Sequence, residues 1–263
     1  EKWIRPFIGG YELMNGEIRY CFWLKDCPPE MLRQMPLIRK RLEEVSKARL
    51  LSATNSVKEF SKYPSLFTQD RQPNTDYLAI PEVSSERRKY IPIAFLTPNV
   101  IASNKIQIIP YATLYIFGVM SSIMNMIWTK YVSGRLKSDI SYSPSVYNNF
   151  PWSENPSEKQ VKTVEKAAQK VLDVRERFLN PGEMSNEQLG ISNEQYVKKK
   201  CSLADLYDPL TMPPELVKAH QELDKAVDFC YRPQPFPNET KRIEFLFELY
   251  DKYTAGLFAK KKI

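Results

Sequence analysis

The sequence is poor in histidine, cysteine and glycine, with one, four and eight residues among 263. His220 lies among apolar residues at helical spacing, which predicts a packed or partly exposed helical side chain rather than a triad or metal-site histidine. Cys21, Cys27, Cys201 and Cys230 form no C-x-x-C pair, which favours inert thiols in a reducing, cytoplasmic setting. No glycines have the fixed short spacing of a dinucleotide-binding or P-loop motif. We therefore expect no catalytic residue, no metal and no cofactor in this chain.

A membrane span is not expected either. Residues 106–128 form a mostly apolar run long enough to cross a bilayer, but Gln107 and Pro110 interrupt it, as do several hydroxyl and amide side chains. This composition favours a strand that leads into a buried helix. The first residues lack the pattern of a signal peptide and include no initiator methionine, so we expect the chain to have been cut from a longer protein.

The positive charge is concentrated in the first half of the chain. Residues 1–137 hold 20 Lys or Arg against 12 Asp or Glu, whereas residues 138–263 hold 18 against 19. Between Ser84 and Lys137 there are seven bases and a single acid, Glu86. Charge of one sign on one module favours a polyanionic partner, although an ordinary soluble basic surface has the same composition.

The first 152 residues mix strand and helix patterns. Alternating residues over 3–8 and 18–24, with turn signals at Gly9-Gly10 and Asn15-Gly16, predict a β-hairpin. A long helix with a basic outer face is predicted next, from Pro28 to Leu50, kinked or restarted at Pro36.

Further along this half, strands and one apolar helix are predicted. The strands are at residues 77–81, 90–95 and 105–109, and the apolar helix covers residues 111–132. We therefore expect an α+β fold, in which a mixed-sheet domain with a long helix spans residues 1–152.

Beyond Trp152 the pattern is helical. Ser157 and Gln160 form a capping box before an apolar stripe, and Pro213-Pro214 suits another helix start. A last helix is predicted from Asn238, and the polar residues 180–200 are predicted to be a mobile loop or insertion. We expect a smaller all-α domain of three or four helices over residues 153–263.

Three polar segments of the first half are candidates for contact with nucleic acid. Ser84 to Tyr90 combines hydroxyl groups and cations that suit phosphate oxygens. Residues 104–107 place amide and lysine side chains together, and such groups can hydrogen-bond to the edges of adenine and guanine. Residues 134–139 form a third, basic segment. Asn149-Phe150-Pro151-Trp152 faintly echoes the tetrapeptide of amino-methyltransferases, but the second-position proline is absent, and we interpret it as a structural corner.

Several strings are specific enough to indicate a family. YLAIPEVSSERRKYIP, FGVMSSIMNMIW and GRLKSDISYSPSVYNNFPW, with the opening FIGGYELMNGEIRYCFWL, closely resemble the target-recognition domain of the MmeI-like family. SLADLYDPLTMPPELVKAHQELDKAVD resembles the helical C-terminal domain that follows it. The resemblance covers nearly the whole chain.

The resemblance implies a function for the parent protein. Members of the family are single-chain N6-adenine DNA methyltransferases of restriction-modification systems in bacteria, some with a fused nuclease. The catalytic motif and the S-adenosylmethionine pocket would lie in an upstream methyltransferase domain, and the recognition domain would bind double-stranded DNA and read its sequence. The DNA-binding residues that the motif positions indicate are Ser84, Ser85, Arg87, Arg88, Lys89, Asn104, Lys105, Gln107, Arg135, Lys137 and Asn148. Among these, Asn104, Lys105 and Gln107 are the candidates for base readout.

Two other functions remain open at this point. The helical domain could dock the methyltransferase domain or a second copy of the enzyme, with little DNA affinity of its own. The chain could also be a small nuclease or transferase, although the sequence offers no metal or cofactor site for one.

Overall fold

The computed structural model describes residues 2–181 and 200–258, and nearly all of the predicted loop at 180–200 lies outside them. The strands are β1 (Ile4–Ile8), β2 (Arg19–Phe22), β3 (Tyr77–Pro81), β4 (Val83–Ser84), β5 (Ala94–Leu96), β6 (Ile101–Ala102), β7 (Ile106–Pro110), β8 (Gly134–Leu136) and β9 (Asp139–Ser141). The helices of the first half are α1 (Gly10–Asn15), α2 (Pro29–Arg33), α3 (Pro36–Leu50), α4 (Asn55–Glu59), α5 (Leu114–Met120), α6 (Ile123–Val132) and α7 (Pro144–Asn148). They are followed by α8 (Glu158–Leu179), α9 (Leu203–Leu206), α10 (Pro214–Tyr231) and α11 (Glu239–Phe258). The α+β fold with a helical C-terminal region is confirmed.

The strands form three small sheets. The first has the order β2-β1-β6, the second β5-β3-β7 and the third β4-β9-β8. β1 and β2 pair antiparallel, as the predicted hairpin requires. Helix α1 replaces the predicted tight turn between them. It ends at Gly16, whose φ of 68° lies in the left-handed region that glycine adopts without steric cost.

The predicted long helix is two helices, because Pro36 restarts it. Pro36 lacks the N–H that a continuous helix would need, and it occupies the first turn of α3 instead. No residue of α3 is fully buried, and Leu37 is 83% exposed.

The predicted apolar helix is also divided. α5 ends at Met120, and Ser122 adopts an extended conformation that starts α6 anew. The Ser122 hydroxyl donates to the carbonyl of Val119, so the serine pair turns the chain between the two helices. Within the described residues, no helix combines the length and apolar character that a membrane span requires.

The C-terminal helices pack onto the first half through one hydrophobic core, whose buried residues extend from Leu13 to Leu246. Gly118 of α5 permits a close approach, since a Cβ atom built there would lie 2.7 Å from Val164 Cγ1 of α8 and 3.3 Å from Leu223 Cδ1 of α10. The predicted capping box at Ser157 is present, with Gln160 as its partner. The boundary between the domains at residue 152 stays a prediction.

A buried polar cluster joins the two halves. Asp224 of α10 accepts hydrogen bonds from the Tyr90 hydroxyl at 2.7 Å and from the backbone N–H of Ile123 at 2.8 Å. His220 stacks on Tyr90 with ring centroids 4.0 Å apart and lies 2.9 Å from the Tyr207 hydroxyl. Burial lowers the pKa of His220 to about 3. The histidine is therefore a packed side chain, as predicted from its position.

Candidate nucleic-acid interface

The first and third candidate segments meet on the third sheet. β4, which ends at Ser84, pairs with β9, and β9 pairs with β8, which contains Arg135. The side chains of Arg87, Lys89 and Lys137 are exposed. The sheet thus joins the backbones of two cationic segments that are about fifty residues apart in sequence. The Lys89 Nζ atom lies 5.5 Å from the centre of the Tyr90 ring.

Three residues of these segments have structural contacts that limit their availability. Ser84 is only 2% exposed, so its hydroxyl faces the interior. Arg88 is half-buried, and burial lowers the pKa of its guanidinium, while nearby Asp208 and Asp139 raise it. Arg135 donates to the carbonyl of Lys130 at 2.9 Å, at the end of α6. Ser85, by contrast, is partly exposed.

The second candidate segment lies in the turn between β6 and β7. Asn104 and Lys105 are exposed, and Gln107 is partly exposed on β7. Lys105 Nζ is 3.1 Å from a carboxylate oxygen of Glu82, and the backbone N–H of Glu82 donates to the Lys105 carbonyl at 3.0 Å. Since β4 begins at the next residue, Val83, these contacts connect the turn to the third sheet.

Asn104 and Gln107 line a cavity of about 250 Å³ together with Gln69 and Arg71. The structure gives none of the four side chains a hydrogen-bond partner within the residues it describes. Amide and guanidinium groups left free in a cavity can hydrogen-bond to a bound molecule. Sequence analysis missed Gln69 and Arg71, because they lie in an irregular polar stretch without a motif.

The backbone around Gln69 and Arg71 is held by the residues that alternate with them. Asp70 forms an ion pair with Lys25. Gln72 donates to the carbonyl of Val100 at 2.8 Å and accepts from the N–H of Ala102 at 3.1 Å. This anchoring fixes the segment beside β6 while the side chains of Gln69 and Arg71 stay exposed.

Two further cavities adjoin the first. A larger one, of about 690 Å³, shares Ser103 and Asn104 with it and also includes Arg19 and Lys105. Another, of about 320 Å³, shares Gln107 and contains Asn148. We call the three together the polar groove. The structure therefore brings Asn104, Lys105, Gln107 and Asn148 to one groove. Of the candidates in the first and third segments, Ser84 and Arg135 lie on the third sheet, and the others lie in the loops that adjoin it.

Comparison with known proteins assigns the family. Residues 1–154 match the MmeI target recognition domain, and residues 156–258 match the MmeI C-terminal domain. The chain belongs to the MmeI family, and these two matches cover its target recognition and C-terminal domains. The described residues contain no group of three or more His, Cys, Asp or Glu side chains placed to hold a metal ion.

Two similar proteins give this assignment its context. DNA methyltransferase A of Bacillus subtilis (strain 168) is 36% identical over 254 residues, which are 96% of this chain and 26% of the relative. The structure of the type IIL restriction-modification enzyme MmeI in complex with DNA matches with a TM-score of 0.86 and 44% identity, over 97% of this chain and 31% of that one. The chain thus spans about a quarter to a third of the length of these proteins.

Proposed function

We propose that this chain is the sequence-recognition module of a site-specific N6-adenine DNA methyltransferase of the restriction-modification type. The main support is the polar groove, in which Gln69, Arg71, Asn104 and Gln107 have no internal hydrogen-bond partner. Glutamine and asparagine can hydrogen-bond in bidentate fashion to adenine, and arginine or lysine to guanine, in the major groove. The DNA complex of the similar MmeI enzyme supports double-stranded DNA as the ligand.

Each candidate residue has a role in this proposal. Asn104, Lys105 and Gln107 read base edges, and Gln69, Arg71 and Asn148 extend the reading surface along the polar groove. Arg87, Lys89 and Lys137 contact phosphates. Because their side chains are turned inward or engaged, Ser84, Arg88 and Arg135 support the contact segments. The partly exposed Ser85, whose hydroxyl accepts from the Arg87 N–H at 3.4 Å, can donate its own proton to a phosphate oxygen of the DNA.

In this proposal the methyl-transfer reaction takes place in a different domain of the enzyme. The methyl donor, S-adenosylmethionine, is assigned to an upstream methyltransferase domain, because the eight glycines of this chain form no loop of the kind that cradles such a cofactor. The similarity to a bacterial DNA methyltransferase supports this division and a cytoplasmic location.

The proposal is tested by exchanging groove side chains and measuring sequence selectivity. Asn104→Ala and Gln107→Ala should each reduce the preference for the selected target over a single-base variant by about 1–3 kcal/mol. Gln221→Ala is the matched control, since Gln221 is an exposed amide on α10 outside the groove. Selection from a random duplex library, repeated with each variant, measures the change. A wild-type chain that selects no sequence, or groove variants that select the same one equally well, would contradict the proposal.

The alternative function is an assembly scaffold with little DNA affinity. The packing of α8 and α10 against α5 favours a bracing role within the chain for these two helices. Light scattering of the purified chain across a wide concentration range would detect self-association. A dimer that forms without DNA, combined with an absence of DNA binding, would favour the scaffold.

A further inference from the structure

The first sheet has an apolar face that is open to solvent. In the β1–β2 register Ile4 lies opposite Phe22 and Pro6 opposite Tyr20, so these four side chains share one side of the sheet. Ile18 precedes Tyr20 by two residues. Ile4 is 45% exposed, Phe22 36%, Ile18 58% and Tyr20 65%. We call these five residues the outer apolar face.

The other side of the same strands is already occupied. Phe7 packs against Phe67 with ring centroids 5.9 Å apart, and the Arg19 guanidinium lies 5.2 Å from the centre of the Phe7 ring. Arg19 also forms an ion pair with Glu12. Phe7 and Arg19 line the largest cavity of the polar groove. Because side chains alternate between the two sides of a strand, the outer apolar face is turned away from the groove.

The chemistry of this face identifies the kind of partner. It carries no charged side chain, so it has no cation to pair with the phosphates of DNA. Contiguous exposed apolar residues on a soluble protein mark a contact with another protein surface, and aromatic residues such as Tyr20 and Phe22 are enriched in the centre of such contacts. The ligand is therefore a protein with a complementary apolar patch.

We propose that the outer apolar face is the docking surface for the catalytic remainder of the methyltransferase, which rests on the function proposed above. About three quarters of the Bacillus subtilis relative and more than two thirds of the MmeI chain lie outside the matched region. A body of that size has to be held in a fixed position relative to the polar groove if it is to act at the sequence that the groove reads. Docking behind the sheet leaves the groove free for DNA.

Thiol labelling of the full-length enzyme tests this proposal. Tyr20→Cys and Ile18→Cys place a thiol on the face, and Leu210→Cys, at a position that is 82% exposed, is the control. Maleimide labelling would be followed by peptide mass spectrometry in the absence of DNA. We expect the two thiols of the face to react at least about tenfold more slowly than the control thiol, because thiol reactivity requires access. The slow reaction should persist at every enzyme concentration.

Three results would overturn the proposal. Rapid labelling at both positions would show that nothing covers the face. Protection that disappears on dilution would assign the face to a second copy of the enzyme, and protection that requires added duplex would assign it to DNA. DNA binding by the same labelled samples is measured in parallel, so loss of the proposed recognition function is distinguished from failure of the docking surface.

Discussion

Asp224 should make the stability of the protein fall as the pH rises, and Asp224→Asn should remove that fall. Burial raises the pKa of the Asp224 carboxyl from 3.8 to about 6, against the lowering effect of its hydrogen bonds from Tyr90 and Ile123. Between these two values the folded chain binds a proton that the unfolded chain has released. The contribution is fully present below a pH of about 4 and is lost as the pH rises through about 6. A shift of about two pH units corresponds to about 3 kcal/mol.

The variant isolates this contribution because asparagine is neutral at all pH values and has a similar shape. Its side-chain carbonyl can still accept the hydrogen bond from Ile123. His220, with its pKa lowered to about 3, gives the opposite trend, since its contribution is lost as the pH falls from about 6.5 toward 3. His220 is present in both wild type and variant, so the difference between their free energies of unfolding reports the contribution of Asp224.

Urea denaturation at a series of pH values, followed by tryptophan fluorescence, measures the effect. The free energy of unfolding of wild type minus that of the variant should decrease by about 3 kcal/mol between a pH of about 4 and about 7. Glu222→Gln on the same helix is the control, because its exposed ion pair with Lys170 should contribute no more than about 0.5 kcal/mol. Parallel pH profiles for wild type and Asp224→Asn would refute the reasoning.

Three further predictions concern packing, capping and charge. Gly118→Ala should destabilise the chain by about 1–3 kcal/mol in chemical denaturation, because the new methyl group would meet Val164 Cγ1 at 2.7 Å; an unchanged midpoint would show that α8 shifts freely. Ser157→Ala should cost about 1 kcal/mol in the same assay, since it removes the hydroxyl that accepts from the N–H of Gln160, and no loss would mean that the capping box is not formed in solution. Lys137→Gln should lower the salt dependence of DNA binding by about one phosphate equivalent in titrations at several salt concentrations, and an unchanged slope would place Lys137 away from the DNA backbone.

Local signals in the sequence were sufficient for much of the fold. The capping box at Ser157 and the start of α10 at Pro214 were predicted because each depends on neighbouring residues. The two helix breaks, at Pro36 and at Ser121-Ser122, are harder to predict from the sequence. A proline at position 36 predicts a break, because it lacks the N–H of a continuous helix. The division at Ser121-Ser122 depends on the different packing of α5 and α6, and the spacing of apolar residues carries no information about that packing.

The site was predictable only in part, for a similar reason. The segments at Ser84 and Asn104 are recognisable in the sequence as polar or basic loops. Their exposure depends on the pairing of strands that are far apart in the sequence, such as β4 with β9. Burial of the Ser84 hydroxyl follows from such tertiary contacts. Gln69 and Arg71 line the groove because Gln72, between them and β6, is hydrogen-bonded to Ala102. The two bonded residues are thirty positions apart, so no local sequence pattern predicts this contact.

The measurement that tests the central proposal most directly is fluorescence anisotropy of the chain with duplex DNA across a range of salt concentrations. A triple variant, Arg87→Glu, Lys89→Glu and Lys137→Glu, which changes the three proposed phosphate contacts, is compared with wild type. The control carries the same charge change on the exposed face of α8, at Lys159, Lys162 and Lys166. We predict steep salt dependence for wild type and the control, and a slope smaller by about two to three phosphate equivalents for the triple variant. Equal slopes in all three proteins, or no binding by wild type, would contradict the assignment of this chain as a DNA-recognition module.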